Sequence, residues 1–249
     1  FNFVGSSANT ITDIITNTTF TTATVKYVIT ALAPTSCGAT DFTTITVYPA
    51  PTVSAAGTAQ TICNLGSVTL NANTPNSGLG AWSILSGPSA VSFSNAASPA
   101  SNASGLITGT YQFTWTISNG VCADSKSNVT VTVNPATVPG TLSADATVCA
   151  SSNNGTLSLS GNTGGVLHWE SSTDGGTTWA VTANTTNSFS YINLSTTTLY
   201  RVQVQSGVCT SQYSNIVTNT FKQLTVPGPL SANAAVCSTA NTDTLSLYG

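Results

Sequence analysis

Thr110-Tyr111-Gln112-Phe113-Thr114-Trp115-Thr116, then Cys122, then Val129-Thr130-Val131-Thr132-Val133-Asn134-Pro135 is the stretch that decides the fold. In both runs apolar and polar residues alternate with a period of two, the pattern of a strand with one buried face. A short connection holding one cysteine joins them, so the stretch reads as a β-hairpin. The pattern recurs upstream in Thr24-Val25-Lys26-Tyr27-Val28-Ile29-Thr30, Cys37 and Thr44-Ile45-Thr46-Val47-Tyr48-Pro49. It recurs downstream in Leu199-Tyr200-Arg201-Val202-Gln203-Val204-Gln205, Cys209 and Asn215-Ile216-Val217-Thr218-Asn219-Thr220-Phe221. The later two copies share Ser127-Asn128 and Ser214-Asn215 after the cysteine, where the first has Phe42 in place of the serine.

A second motif marks where repeats begin. Ile62-Cys63 precedes Val68-Thr69-Leu70, Val148-Cys149 precedes Thr156-Leu157-Ser158-Leu159, and Val236-Cys237 precedes Thr244-Leu245-Ser246-Leu247. Proline-bearing linkers stand ahead of each start: Pro49-Ala50-Pro51, Val138-Pro139-Gly140 and Val226-Pro227-Gly228-Pro229. Proline lacks the donor that continues a ladder, so it ends strands and stiffens linkers. The expected organisation is a tandem all-β array. Residues 1–50 are the C-terminal half of one repeat, 51–135 and 136–223 are complete repeats, and 224–249 open another. Each full repeat is the size of one immunoglobulin-like β-sandwich, and the sandwiches are expected in a linear array.

Composition narrows the function. Charged residues are 4% of the 249, against an ordinary share of about 25%. Four Lys and Arg cannot assemble a phosphate-binding surface, so nucleic-acid binding is excluded. No apolar run reaches the length of a membrane span, so no membrane insertion is expected. The chain begins at Phe1 and contains no Met, and reads as a mature or excised piece of something longer.

Six cysteines without a paired C-x-x-C, beside a single His, do not make a zinc site. Each complete repeat has one cysteine at its start and one in its last hairpin. The expected pairs are therefore Cys63 with Cys122 and Cys149 with Cys209. Each closes a loop of roughly 60 residues, which in the chain-entropy model contributes about 4 kcal/mol. Cystines place the protein outside the reducing cytosol. Cys37 and Cys237 are then half-bridges to residues outside the chain. A rival arrangement joins Cys37 of one chain to Cys237 of the next in a strand-exchanged polymer.

Several stretches resemble known repeats. Ile11-Thr12-Asp13-Ile14-Ile15-Thr16-Asn17-Thr18-Thr19 with Val25–Thr30 and Cys37-Gly38 looks like the C-terminal half of the PKD-like repeats in surface proteins of Bacteroidetes. Ala81-Trp82-Ser83-Ile84 and Gly109–Trp115 resemble a related subtype. Trp169-Glu170-Ser171-Ser172-Thr173-Asp174-Gly175-Gly176-Thr177-Thr178-Trp179 with Leu199–Val202 resembles the Ig-like type. The resemblance implies stalk repeats of a very large adhesin, similar to the SprB-like gliding adhesins exported by type IX secretion. Its implied partners are neighbouring repeats of the same polypeptide, with lateral association into fibres and a surface or glycan ligand elsewhere. The alternative is a carbohydrate-binding or accessory module of a secreted polysaccharide-degrading enzyme.

No candidate site points to catalysis or a cofactor. Ser172–Trp179 matches the Asp-box hairpin of sialidase-like propellers, but a propeller needs several copies; Asp174-Gly175-Gly176 reads as a tight turn, with Trp169 and Trp179 packed on or near the core. His168 reads as a strand histidine. Glu170 and Asp174 would form a glycosidase pair only by facing one cleft. Asp124 and Asp145 lie singly near repeat ends, too few for a calcium site. Tyr213 and Tyr248 are exposed aromatics that stack on sugars or pack at domain junctions. Asn-x-Ser/Thr occurs at Asn17, Asn102, Asn128, Asn154, Asn184 and Asn193, and Asp243-Thr244-Leu245 resembles a Bacteroidetes O-glycosylation motif. No cofactor, no metal and no enzymatic activity are expected.

Overall fold

A computed structural model of the chain describes residues 14–30, 40–150 and 153–225. Every regular element among them is a β-strand. The chain divides into two compact units, Phe1–Pro135 and Ala136–Gly249. Cys37, Cys237, Asp243 and Tyr248 lie outside the described residues.

In the first unit, β1 (Ala23–Thr30) and β2 (Thr40–Val47) form the first antiparallel hairpin, in register from Ala23↔Val47 to Thr30↔Thr40. Phe42 carries the Lys26 ammonium 4.0 Å above its ring, a cation–π contact on an exposed face. The strands that follow are β3 (Gln60–Cys63), β4 (Ser67–Thr69), β5 (Leu79–Ser86), β6 (Ser92–Phe93), β7 (Asn102–Ser104), β8 (Gly109–Ser118) and β9 (Ser125–Asn134). They build two sheets, β3-β9-β8-β5 and β4-β7-β6. Alternation along β8 sends Tyr111, Phe113, Trp115 and Ile117 into the core against Val129, Val131 and Val133 of β9 and Val68, Leu70, Ala103 and Leu106 opposite. Trp82 lies across the ladder from Trp115, with ring centroids 5.1 Å apart. Gly80 makes room for this pair, because a Cβ there would overlap the Trp115 indole.

The second unit repeats the plan. Its strands are β10 (Thr141–Leu142), β11 (Ala146–Cys149), β12 (Asn154–Ser160), β13 (Gly165–Ser172), β14 (Ala180–Thr182), β15 (Ser188–Ile192), β16 (Thr198–Gln205), β17 (Gln212–Tyr213) and β18 (Val217–Lys222). The sheets run β11-β18-β16-β13-β14, with β17 beside β16, and β10-β12-β15. Trp169, Tyr200, Val202, Val204 and Val217 face Leu142, Leu157, Leu159 and Tyr191 across the core. Asn219 is fully buried with neither side-chain polar atom bonded.

In both units a four-residue strand ending at a cysteine, β3 or β11, runs parallel to the last strand. β3 pairs with β9 from Gln60↔Val131 to Cys63↔Asn134, and β11 pairs with β18 from Ala146↔Asn219 to Cys149↔Lys222. A further bond extends each ladder: Asn64 N–H to Asn134 O and Ala150 N–H to Lys222 O, both 2.8 Å.

This topology corrects the expected disulfides. Cys63 and Cys209 are disulfide-bonded, but Cys122 and Cys149 carry free thiols, so neither Cys63–Cys122 nor Cys149–Cys209 forms. The reason is geometric. Cys63 lies level with the end of β9, whereas Cys122 lies in the turn before its start. β9 is ten residues long, which separates them by about 30 Å. Cys149 and Cys209 lie likewise beyond opposite ends of β16, which is eight residues long, or about 25 Å. A disulfide joins Cα atoms only about 4.4–6.8 Å apart.

Candidate functional site

The most elaborate polar cluster among the described residues lies on the second unit's larger sheet, on the face turned away from the core. Its origin is a β-bulge between Val166 and His168, after which Trp169 points into the core and Glu170 to the opposite face. Register then places Glu170 directly across from Arg201. The Arg201 Nε donates to Glu170 Oε2 at 2.6 Å. Tyr213 on β17 donates its hydroxyl to Glu170 Oε1 at 3.0 Å, and His168 Nε2 lies 3.0 Å from the same oxygen. Arg201 is stacked between two aromatic rings, with its Cζ 4.0 Å from the Trp179 centroid and 4.1 Å from that of Tyr213.

These contacts set the protonation of the cluster. Burial works to raise the Glu170 pKa, but bonds from Arg201, His168 and Tyr213, with the Arg201 charge, outweigh it and hold the carboxyl below its ordinary value. Tyr213 is pushed up by burial and by its bond to the Glu170 carboxylate. Both effects keep a carboxylate beside a neutral phenol. This is a closed network that stiffens a sheet face, with Glu170 only 5% exposed.

The Asp-box stretch folds as the expected turn between β13 and β14. Asp174 accepts from Ser172 Oγ at 2.7 Å, from Thr178 N–H at 2.9 and 3.0 Å, and from Thr178 Oγ1 at 2.6 Å. Those bonds depress its pKa. Gly175 and Gly176 take positive φ of 73° and 92°, which is why glycines stand there. Asp174 is thus held within its own turn, and Glu170 within the cluster of His168, Arg201 and Tyr213. Trp169 is a core residue bonded to Thr186 O, whereas Trp179 lies over Arg201.

Other candidates serve the fold. Asp145 accepts from Thr218 N–H at 2.7 Å, and Asp124 lies 3.7 Å from Lys126 on the surface. Among the described residues no three His, Cys, Asp or Glu cluster as a metal site would need. Asn17 and Asn184 make matching turns. Each side-chain oxygen accepts from the Thr two residues on, Thr19 or Thr186, and each amide nitrogen donates to a carbonyl four residues on, Thr21 or Ser188. At these positions the Asn-x-Thr pattern is a turn motif. Asn128 accepts from Thr114 Oγ1 across its strand pair. The serines of the repeated Ser-Asn pair hold the units' leading segments and ladders: Ser127 shares a hydrogen bond with Ser54, and Ser214 accepts from Val202 N–H.

Comparison with known proteins assigns the two units separately. Residues 56–133 match the family profile "K319L-like, PKD domain". Residues 138–223 match "Domain of unknown function (DUF8696)". The first of these stretches is thus similar to a PKD domain, and both lie in units built of β-sheets alone. A PKD domain from KIAA 1837 protein, solved in solution, is 29% identical, with a TM-score of 0.30, covering 33% of this chain and 85% of its own. A three-Ig segment of titin is 12% identical at TM-score 0.47, covering 72% and 70%. The insect immune protein hemolin is 11% identical at TM-score 0.37, covering 79% and 56%. No curated protein sequence matches the chain.

Proposed function

We propose that these repeats are load-bearing, non-enzymatic spacers in the stalk of a very large adhesin, secreted by a bacterium and displayed on its surface, holding an adhesive region away from the cell. The observation that carries this reading is the parallel pairing of β3 with β9 and of β11 with β18, an early strand against the last one in each repeat. Tension along the chain pulls β3 by its N-terminal end and β9 by its C-terminal end. Two parallel strands loaded at opposite ends are sheared, so all their ladder bonds resist together instead of opening one by one. The low charge supports the same role, because a surface of Thr, Ser and Asn changes little with salt. Type IX export, gliding motility and lateral packing into fibres belong to this proposal through the sequence resemblance.

The second reading, a carbohydrate-binding module, draws on Trp179 and Tyr213. Sugar stacking needs open ring faces, and the Arg201 guanidinium already covers one face of each. A glycan array discriminates: no specific binding is expected, and a specific hit mapping to Trp179 or Tyr213 would replace the spacer reading.

A further inference from the structure

The chain has two Asn-Gly pairs, Asn119-Gly120 and Asn154-Gly155. In such a pair the glycine amide nitrogen can close a five-membered ring on the asparagine side-chain carbonyl, because no Cβ stands in its way. The two pairs differ in setting. Asn154 and Gly155 lie in the β12–β15 ladder opposite Ile192 and Tyr191, and a Cβ at Gly155 would overlap the Tyr191 ring, so that backbone is extended and closely covered. Asn119 and Gly120 lie in the β8–β9 turn, where a Cβ built at Gly120, whose φ is 75°, meets nothing within 4 Å. Around Asn119 the turn arranges each group that ring closure uses. Its Oδ1 accepts from Val121 N–H at 3.1 Å and Cys122 N–H at 2.8 Å, two backbone donors on the oxygen where charge develops under attack. Gly120 N–H donates to Ser118 Oγ at 3.2 Å, so the nitrogen that must lose a proton already has an acceptor. The leaving nitrogen, Asn119 Nδ2, donates to Pro49 O at 2.7 Å.

We propose that Asn119-Gly120 is a self-modifying site, which converts slowly to aspartate and isoaspartate and so unlatches Pro49 from the β8–β9 turn. Gly120 N loses its proton by way of Ser118 Oγ to water and bonds to Asn119 Cγ. The Cγ–Nδ2 bond breaks, and the nitrogen takes a proton from water and leaves as ammonia. Water then opens the cyclic imide at one of its two carbonyls. The net reaction is amide plus water to carboxylic acid plus ammonia, with no other reactant. The product carboxylate has no proton for Pro49 O, so the former bond becomes a contact between two acceptors. Isoaspartate also adds a methylene to the main chain of the turn. Cys122, whose Sγ lies 3.6 Å from the same carbonyl, is uncovered with it. The change stays local, because Thr52 and Ser54 keep their own bonds to Ser77 N–H, Trp115 O and Ser125 Oγ. None of this depends on the stalk role.

The test is to age the folded full chain at neutral pH and follow both pairs by peptide mass mapping, with isoaspartate read by isoaspartyl methyltransferase labelling. Asn119 should convert at least roughly tenfold faster than Asn154, a fraction of what preorganised oxyanion donors supply in enzymes. In urea, which removes both settings, Asn119 should slow and the two rates should come together. Ser118→Ala should slow Asn119 in the folded chain and leave Asn154 unchanged. Cys122 should react faster with N-ethylmaleimide as conversion proceeds, and Asn119→Asp should show the fast rate from the start. Asn119 converting no faster than Asn154 in the folded chain, or faster in urea than when folded, would overturn the self-modification. A Cys122 rate that conversion leaves unchanged would overturn the unlatching.

Discussion

Replacing Glu170 by Gln tests whether the cluster on the second repeat holds the fold. The carboxylate accepts bonds from Arg201 and Tyr213 and lies within bonding distance of His168, on a side chain 6% exposed. Gln is nearly isosteric, but one of its two heads is a donor that must face Arg201 or Tyr213. Removing one partner from a buried charge pair costs about 3–5 kcal/mol. Arg201 keeps about a quarter of its side-chain surface in water, so the lower end applies, about 3 kcal/mol. For a unit of this size that is a fall in melting temperature of roughly 12–24 °C. The wild type should show a matching pH dependence. Because the folded carboxyl titrates below its ordinary value of 4.5, the folded state binds fewer protons than the unfolded one. The contribution is therefore full above that value and is lost as pH falls through the folded pKa. Hydrogen exchange of β16 peptides, measured from pH 7 downward on the full chain, reads both effects. Equal protection in the wild type and Glu170→Gln at pH 7 would refute the reasoning.

Three further outcomes follow from particular residues. Asn219 occupies the register position that Val131 holds in the first repeat, so Asn219→Val should stabilise the second repeat by about 1–3 kcal/mol in urea denaturation, by removing an unbonded buried amide. Gly80→Ala should destabilise the first repeat by about 1–3 kcal/mol through overlap with Trp115, read as a lower denaturation midpoint. Reduction should leave the calorimetric midpoint of residues 51–135, made as an isolated repeat, unchanged, because no cystine lies inside it; a drop of ten degrees would restore the in-repeat bridge.

The long strands were legible because two-residue alternation over Tyr111–Ile117 and Val129–Val133 admits one arrangement, a hairpin with its apolar face inward. The four-residue strands ending at Cys63 and Cys149 were visible as motifs, but their direction was not. Whether a short strand lies parallel or antiparallel to a partner some 70 residues away depends on non-local packing. That unreadable direction decides which end of the sandwich each cysteine occupies, and the in-repeat pairing failed there. The Glu170 cluster was hidden for a related reason. Arg201 and Tyr213 are 31 and 43 residues distant, and the bulge after Val166 reverses the face that simple alternation predicts. The Asp174 turn, by contrast, is local, and its residues spell it out.

The load-bearing claim is tested most directly by pulling the second repeat in two directions. The chain is stretched between its termini, and then between Cys149 and its C-terminus, with the other cysteines changed to serine. The first geometry shears β11 against β18, and the second peels them apart from the end they share. The account predicts that residues 138–223 unfold in one event, releasing about 250 Å of chain, at a force several-fold higher in the first geometry. Equal forces in both would contradict it.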